Sequence, residues 1–281
     1  MQNITALITG ATSGIGKACA IKLADLRINL ILACRNLHKA ELVKKTLQRS
    51  SNVKIDLVPI DLANLKTVRE AAFSIINNYS VPDIIINNAG VFNSSRKETV
   101  DGLEHTMAVN YFSHFLLTHL LLPSLKNANK PVRIINVSSK AGLHSNLPLD
   151  KLNFQKRYHS FKAYGASKLA QLYFTRELAE RLLNTKITIN AVHPGNVNTN
   201  IWSIKTNFIT NIIKKFSKTP AEAAETIVYL ATANKFTKMS GKFFNNNNKL
   251  ITYNKNSSDA LKQQQLWNYS MNVVEKFLNE K

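Results

Sequence analysis

The chain has 281 residues, 44% of them apolar, and a formal net charge of +20. That length carries one large α/β domain with a real core, and no run of about 18 apolar residues offers a transmembrane helix. Two cysteines, Cys19 and Cys34, without partners at metal or redox spacing exclude a disulfide scaffold and fit a reducing, intracellular setting.

Met1 runs almost directly into an apolar strand, so no signal peptide is expected. A charge this large attracts anions, whether a phosphorylated cofactor, an acidic membrane surface or nucleic acid. It also follows from a composition rich in Lys, Asn and Ile, and both readings stand. The basic residues are scattered, with no RNA-binding aromatic signature, so no specific nucleic-acid partner is expected.

Ile4–Thr9 is a short β-branched apolar run, the mark of a buried parallel strand. It breaks into Gly10-Ala11-Thr12-Ser13-Gly14-Ile15-Gly16, and a helix is predicted from Lys17 to about Leu26. Glycines in such a turn let the backbone approach a pyrophosphate, and the helix N-terminus supplies N–H donors and a positive dipole end. The second strand, Asn29–Cys34, ends at Arg35. An acid normally receives the ribose 2′-hydroxyl at that place; a guanidinium suits a 2′-phosphate instead, with Lys17 and Lys39 available to add charge. The alternative is a solvated strand-end residue.

A helix is predicted over His38–Arg49 and a third strand over Val53–Ile60, delivering Asp61 and Leu62. Asp61 can accept from an adenine amino group or cap the helix that begins near Leu65. That helix runs to Tyr79 and leads to a fourth strand, which breaks into Asn87-Asn88-Ala89-Gly90. The small residues there leave room for something flat, and the asparagines either tie strand ends together or position a ligand. A helix from about Leu103 is predicted to stop at Pro123. Its Asn110 lies among apolar residues, where an unused amide would be costly; His105, His114 and His119 on it read as structural. The fifth strand, Val132–Val137, ends in Ser138-Ser139, two hydroxyls at the sheet edge where doubly wound folds place ligands. Tyr164 and Lys168 follow, four apart and so on one face of a helix. An ammonium beside a phenol is expected to lower the phenol's pKa towards neutrality and make it a usable acid or base.

In this order, Thr9 to Gly16, Asn87-Asn88-Ala89-Gly90, Ser139 and Tyr164-x-x-x-Lys168 resemble the short-chain dehydrogenase/reductase family, over at least residues 4–200. Pro194-Gly195 and Thr199 match its post-strand loop. A finer resemblance, carried by Ala33-Cys34-Arg35, Val109 to Thr118, Phe174 to Leu178 and Val192-His193-Pro194-Gly195, is to the retinol dehydrogenase-like branch. The resemblance implies one doubly wound, Rossmann-type α/β domain over 1–281, with a mostly parallel sheet and helices on both faces. It implies NADP(H) as cofactor and a lipophilic aldehyde, ketone or alcohol as substrate. Tyr164 would be the general acid, Lys168 would tune it and hold the nicotinamide ribose, Ser139 would bind the substrate oxygen, and Asn110 would hold a water chain feeding protons to Lys168. The dinucleotide would lie along Gly10, Thr12, Ser13, Gly14, Ile15, Gly16, Arg35, Asp61, Leu62, Asn88, Ala89, Gly90, Tyr164, Lys168, Pro194, Gly195, Val197 and Thr199. No metal is implied, and a homo-oligomer is compatible.

Beyond Thr199, apolar positions from Ile201 to Phe216 recur at helical period among lysines. In this family the segment of about 200–220 covers the substrate; its basic rim could also rest on an anionic membrane, or it is an ordinary surface helix. A cytoplasmic protein, or one attached peripherally to an organelle membrane, is expected. Thr219-Pro220-Ala221-Glu222 reads as a capping box, Lys242–Phe244 as a last strand, and Leu261–Leu278 as an amphipathic helix at the pocket rim. The rival from another class is a dinucleotide-binding regulator or scaffold without turnover, which intact Ser139, Tyr164 and Lys168 argue against.

Overall fold

Seven short apolar runs form one sheet whose strands are all parallel, in the order β3-β2-β1-β4-β5-β6-β7. The structure, a computed structural model, describes residues 4–155, 158–197 and 218–279. The strands are β1 (Thr5–Thr9), β2 (Asn29–Cys34), β3 (Ile55–Pro59), β4 (Ile84–Asn87), β5 (Val132–Val137), β6 (Ile187–Val192) and β7 (Phe243–Phe244). The helices are α1 (Gly14–Asp25), α2 (Leu37–Ser50), α3 (Leu65–Asn78), the single turn α4 (His105–Met107), α5 (Ser113–Asn127), α6 (Ser160–Arg181), α7 (Pro220–Thr232) and α8 (Ala260–Asn279).

Parallel strands covered on both faces must be apolar on both faces. Leu7, Ile31, Ile85, Ile134 and Ile189 pack towards α3, α5, α6 and α8. Their neighbours Ala6, Ile8, Leu30, Leu32, Ile84, Ile86 and Ile135 pack towards α1, α2 and α7. This is the doubly wound architecture expected from the sequence. Strand order reverses between β1 and β4, so the turns after these strands diverge and open a crevice at the carboxyl edge of the sheet.

Several elements differ from expectation: α1 begins at Gly14 and not at Lys17, and β3 at Ile55 and not at Val53. Pro123 does not stop its helix; it lies inside α5. It is exposed, so the intrahelical bond it cannot donate is lost where water can replace it. The helix predicted from Leu103 begins instead at Glu104, a fully buried acid whose carboxylate accepts from Thr106 N–H and Met107 N–H. The chain then widens into a π-turn over Ala108–Phe112 before α5. Finally, α8 packs on the helical layer, and its Lys262, Gln265, Tyr269 and Asn272 line a cavity with Leu147 and Leu149. The helix lies across α3, α5 and α6, where Leu266, Trp267, Val274 and Phe277 join the core.

The capping box at Thr219 is formed: its hydroxyl accepts from Glu222 N–H, and the Glu222 carboxylate accepts from Thr219 N–H. Asn64, not Asp61, caps α3; the Asp61 carboxylate accepts from Ala63 N–H in a local turn.

Candidate active site

The turn from β1 into α1 is built to bring backbone close to a ligand. Gly10 and Gly14 have φ of +69° and +53°, a region in which glycine alone is unstrained. Gly16 faces the Gly10 carbonyl and the Asn88 amide, and a Cβ there would strike both. The Asn88 amide donates to Thr9 O at 2.9 Å and so ties the end of β4 to this turn. Asn87 faces into the core, donating to Asn136 Oδ1 and Thr118 Oγ1. Both asparagines therefore tie elements together. α1 also begins differently from three other helices. Asn36, Asn64 and Thr219 cap α2, α3 and α7 with their side chains, whereas Ser13 makes no capping bond. The first-turn N–H groups of α1 are left for an anion. This cradle fits the pyrophosphate of a dinucleotide.

Arg35 is exposed at the end of β2. Arg35 and Asp61 both lie close enough to bias the His105 imidazole, whose pKa is lowered chiefly by burial. One end of the crevice thus gathers Arg35, Asp61 and His105. Lys17 is half-buried on α1, and Lys39 is exposed on α2. Leu62 is buried in the core, leaving its backbone for a ligand. At the other end Pro194 is buried, Gly195 has φ of +91° and packs on Asn246, and Val197 pairs with Lys218. Thr199 and the segment Ile201–Phe216 lie outside the described residues.

Between the two ends stand the hydroxyls and the amine. Ser139 Oγ accepts from Ala141 N–H at 3.2 Å and is hydrogen-bonded to the Tyr164 phenol. Ser138 is spent on structure, its buried hydroxyl donating to the Lys168 carbonyl. The segment after Ser139 lies directly on α6: a Cβ on Gly142 would sit 2.8 Å from the backbone of Lys168 and Leu169. That close approach holds Ser139 over Tyr164.

Lys168 is 4% exposed. Its ammonium donates to Val137 O at 3.0 Å and to Gln171 Oε1 at 3.1 Å, and lies 5.6 Å from the centroid of the Tyr164 ring. Burial pushes this amine down to about 7 and the Tyr164 phenol up to about 12, with the Ser139 hydrogen bond opposing the latter. The expected lowering of the phenol's pKa is therefore reversed. Desolvation acts on both groups, and the ammonium's hydrogen bonds go to a carbonyl and an amide rather than to the phenol.

Asn110 lies in the π-turn. Its side chain accepts from Val91 N–H at 2.7 Å and donates to Val91 O and Ser167 Oγ. Its carbonyl takes two side-chain donors, Gln171 Nε2 at 2.7 Å and His114 Nδ1 at 3.2 Å. Gly90 faces Asn110 and Lys168, so the loop after β4 borders the same space. His114 is a structural bridge, with Thr9 Oγ1 3.0 Å from its Nε2, and burial pushes its pKa down to about 4. Gln171 was not singled out from sequence, because it belongs to no motif.

The Tyr164 ring also has an aromatic neighbour. Phe92 stacks edge-on at 5.7 Å, and Phe161, 57% exposed, lies 5.1 Å from Phe92. Among the described residues no group of three or more His, Cys, Asp or Glu is placed to hold a metal, and no helix is long and apolar enough to cross a membrane.

The short chain dehydrogenase family model matches residues 4–208. Human retinol dehydrogenase 13 is 41% identical over 250 residues, covering 85% of this chain and 75% of that protein. Human retinol dehydrogenase 14 is 37% identical over 264 residues, with 87% and 78% covered. Among solved structures, an uncharacterised protein from Mycobacterium paratuberculosis superposes with a TM-score of 0.77 at 30% identity, over 97% of this chain and 93% of that one. NADPH-bound carbonyl reductase from chicken fatty liver superposes with a TM-score of 0.69 at 25% identity, over 90% and 100%. With a glycine cradle, a sheet-edge serine and a Tyr-x-x-x-Lys helix inside the matched span, the chain belongs to the short-chain dehydrogenase family, oxidoreductases that work with a nicotinamide dinucleotide.

Proposed function

We propose that the protein is an NADP(H)-dependent oxidoreductase that interconverts a lipophilic aldehyde or ketone with its alcohol. The observation that carries this reading is the contact set of half-buried Ser139 and Tyr164 with buried Lys168, beside an uncapped, glycine-rich helix start. Bound dinucleotide supplies the hydride to the carbonyl carbon. Tyr164 donates its phenolic proton to the carbonyl oxygen, and the Ser139 hydroxyl donates to the same oxygen as negative charge grows on it. A phenol held up at about 12 is fully protonated at neutral pH, which suits the reductive direction. Lys168 brings positive charge to the phenolate left behind. A silent regulator would have no use for that ammonium, whose burial is costly.

Arg35 supports NADP(H) over NAD(H), because a guanidinium pairs with a 2′-phosphate, and the NADPH-bound carbonyl reductase is in keeping with it. The aromatic flank of Phe92 and Phe161 supports an apolar substrate, as do the retinol dehydrogenase relatives. The apolar and basic stretch 201–216 is the candidate substrate cover and membrane contact.

Two variants test the reading, using NADPH oxidation with retinal, medium-chain aldehydes, steroids and quinones. Tyr164→Phe should lower turnover by about 1,000-fold or more while NADPH binding stays within a few-fold, since it removes only the transferred proton. Near-normal turnover in that variant would sink the assignment. Arg35→Asp should raise KM for NADPH at least ~10-fold and leave KM for NADH nearly unchanged; equal effects on both would remove the cofactor argument.

A further inference from the structure

Gln171 sits one turn beyond Lys168 on α6 and is 1% exposed. Its two neighbours determine which way its amide points. The Asn110 carbonyl can only accept, so it takes Nε2–H at 2.7 Å; the Lys168 ammonium can only donate, so it takes Oε1 at 3.1 Å. Reversing the amide would set oxygen against oxygen and N–H against N–H.

The hydrogen bonds continue beyond Asn110. Thr9 Oγ1 accepts from Asn88 N–H and Ala89 N–H at 3.0 and 3.1 Å, and its own hydrogen lies between His114 Nε2 at 3.0 Å and the Ile86 carbonyl at 3.5 Å. His114 Nδ1–H then donates to the Asn110 carbonyl. The glycine-rich turn is thereby joined to Lys168 through Thr9, His114, Asn110 and Gln171. A carboxamide has no proton to give up and regain at neutral pH, so this connection is a brace and not a proton wire.

We propose that Gln171 is a positioning residue for Lys168: its carboxamide fastens the ammonium to the Asn110 π-turn and, by accepting a hydrogen bond from it, favours the charged amine. The part this plays in turnover rests on the oxidoreductase reading above. The titratable groups that face Lys168 are Tyr164 on its own helix and His114, the first turn of α5. β5 presents the Val137 carbonyl, and the loop after β4 presents Gly90. Neither brings a charge, so a change at Gln171 should be read directly in the titration of Lys168.

The experiment uses two replacements of similar size in the full chain. Gln171→Met cannot accept the hydrogen bond and should move the Lys168 titration down by about half a pH unit or more. Gln171→Glu places a negative charge at the same distance and should move it up. The titration is followed by NMR of side-chain ¹³C-labelled lysine in the ligand-free protein, with the Lys168 signal assigned by its loss in Lys168→Arg. General loosening of the helix would shift both variants alike, so opposite shifts support the brace. Unchanged titration in both, or shifts of the same sign, would overturn it. If Gln171→Met does not fold, Gln171→Leu takes its place and should lower the Lys168 titration in the same way. Turnover is a separate readout. A wild-type protein that reduces no carbonyl while its Lys168 responds as stated counts against the oxidoreductase reading alone. An active wild type whose Lys168 ignores both variants counts against Gln171 alone.

Discussion

An ammonium is an expensive thing to bury, and Lys168 carries that cost at the centre of the site. Its pKa falls from an ordinary 10.5 to about 7 because burial disfavours the charge. Between those two values the unfolded chain holds a proton that the folded one has released. Unfolding then takes up a proton, and stability rises with pH across the window. Below about 7 both states are charged, and the destabilisation is at its fullest. The ligand-free wild type should therefore gain stability relative to Lys168→Met as pH climbs from 7 to 9.5, as measured by urea unfolding. Taking the difference cancels the opposing drift from Cys19 and Cys34, thiols that burial pushes up to about 12 and about 11. A pH-independent difference would refute the assignment of this cost to Lys168. Tyr164, Lys168 and Ser139 were legible in the sequence because each belongs to a spaced motif. Their surroundings were not: Gln171 lies among Ala170 and Leu172 without a pattern, and its partner carbonyl is turned towards it by the π-turn.

Elements were legible where chemistry is local. The capping box at Thr219 needs only four residues and formed as expected. Strands β2 and β5 have the ends that their apolar runs indicate. Prediction failed where tertiary context overrules local preference. Pro123 is a helix breaker by propensity, yet α5 continues through it because Leu121, Leu122 and Leu125 are buried around it. The π-turn at Ala108–Phe112 leaves no trace in hydrophobic period, since all five of its residues are buried. It is held by contacts from distant segments, with Val91 and Ser167 on the Asn110 side chain and Gln171 on its carbonyl. Asp61 presented two readings of equal standing. Asn64 caps α3, and the Asp61 carboxylate stays beside the end of the crevice that Arg35 occupies.

At the scale of the whole molecule, the last element to pack is α8. After β7 at the sheet edge, the chain returns over the helical layer and covers α5 and α6, with Leu266, Trp267, Val274 and Phe277 turned inward. The Tyr111 hydroxyl lies 2.7 Å from Ser270 Oγ in the seam. Trp267 is the anchor: its ring meets Phe115 at 5.1 Å and Phe174 at 6.2 Å, and the Arg181 guanidinium lies 4.2 Å over it. Arg181 ends α6, whereas Tyr164 lies in the helix's second turn, so this seam is remote from the phenol and the serine. The face of α5 and α6 is thus covered within one chain. Trp267→Ala should cost about 3–5 kcal/mol, the range for emptying an aromatic site in a core. The cation–π contact would go with it. The loss should appear as a lower urea midpoint with an unchanged slope. Turnover of the protein that remains folded should stay within about two-fold of wild type, because the reacting groups hang on the opposite end of α6 and just past the end of β5. A large fall in turnover with little loss of stability would show that α8 acts on the site and not on stability alone.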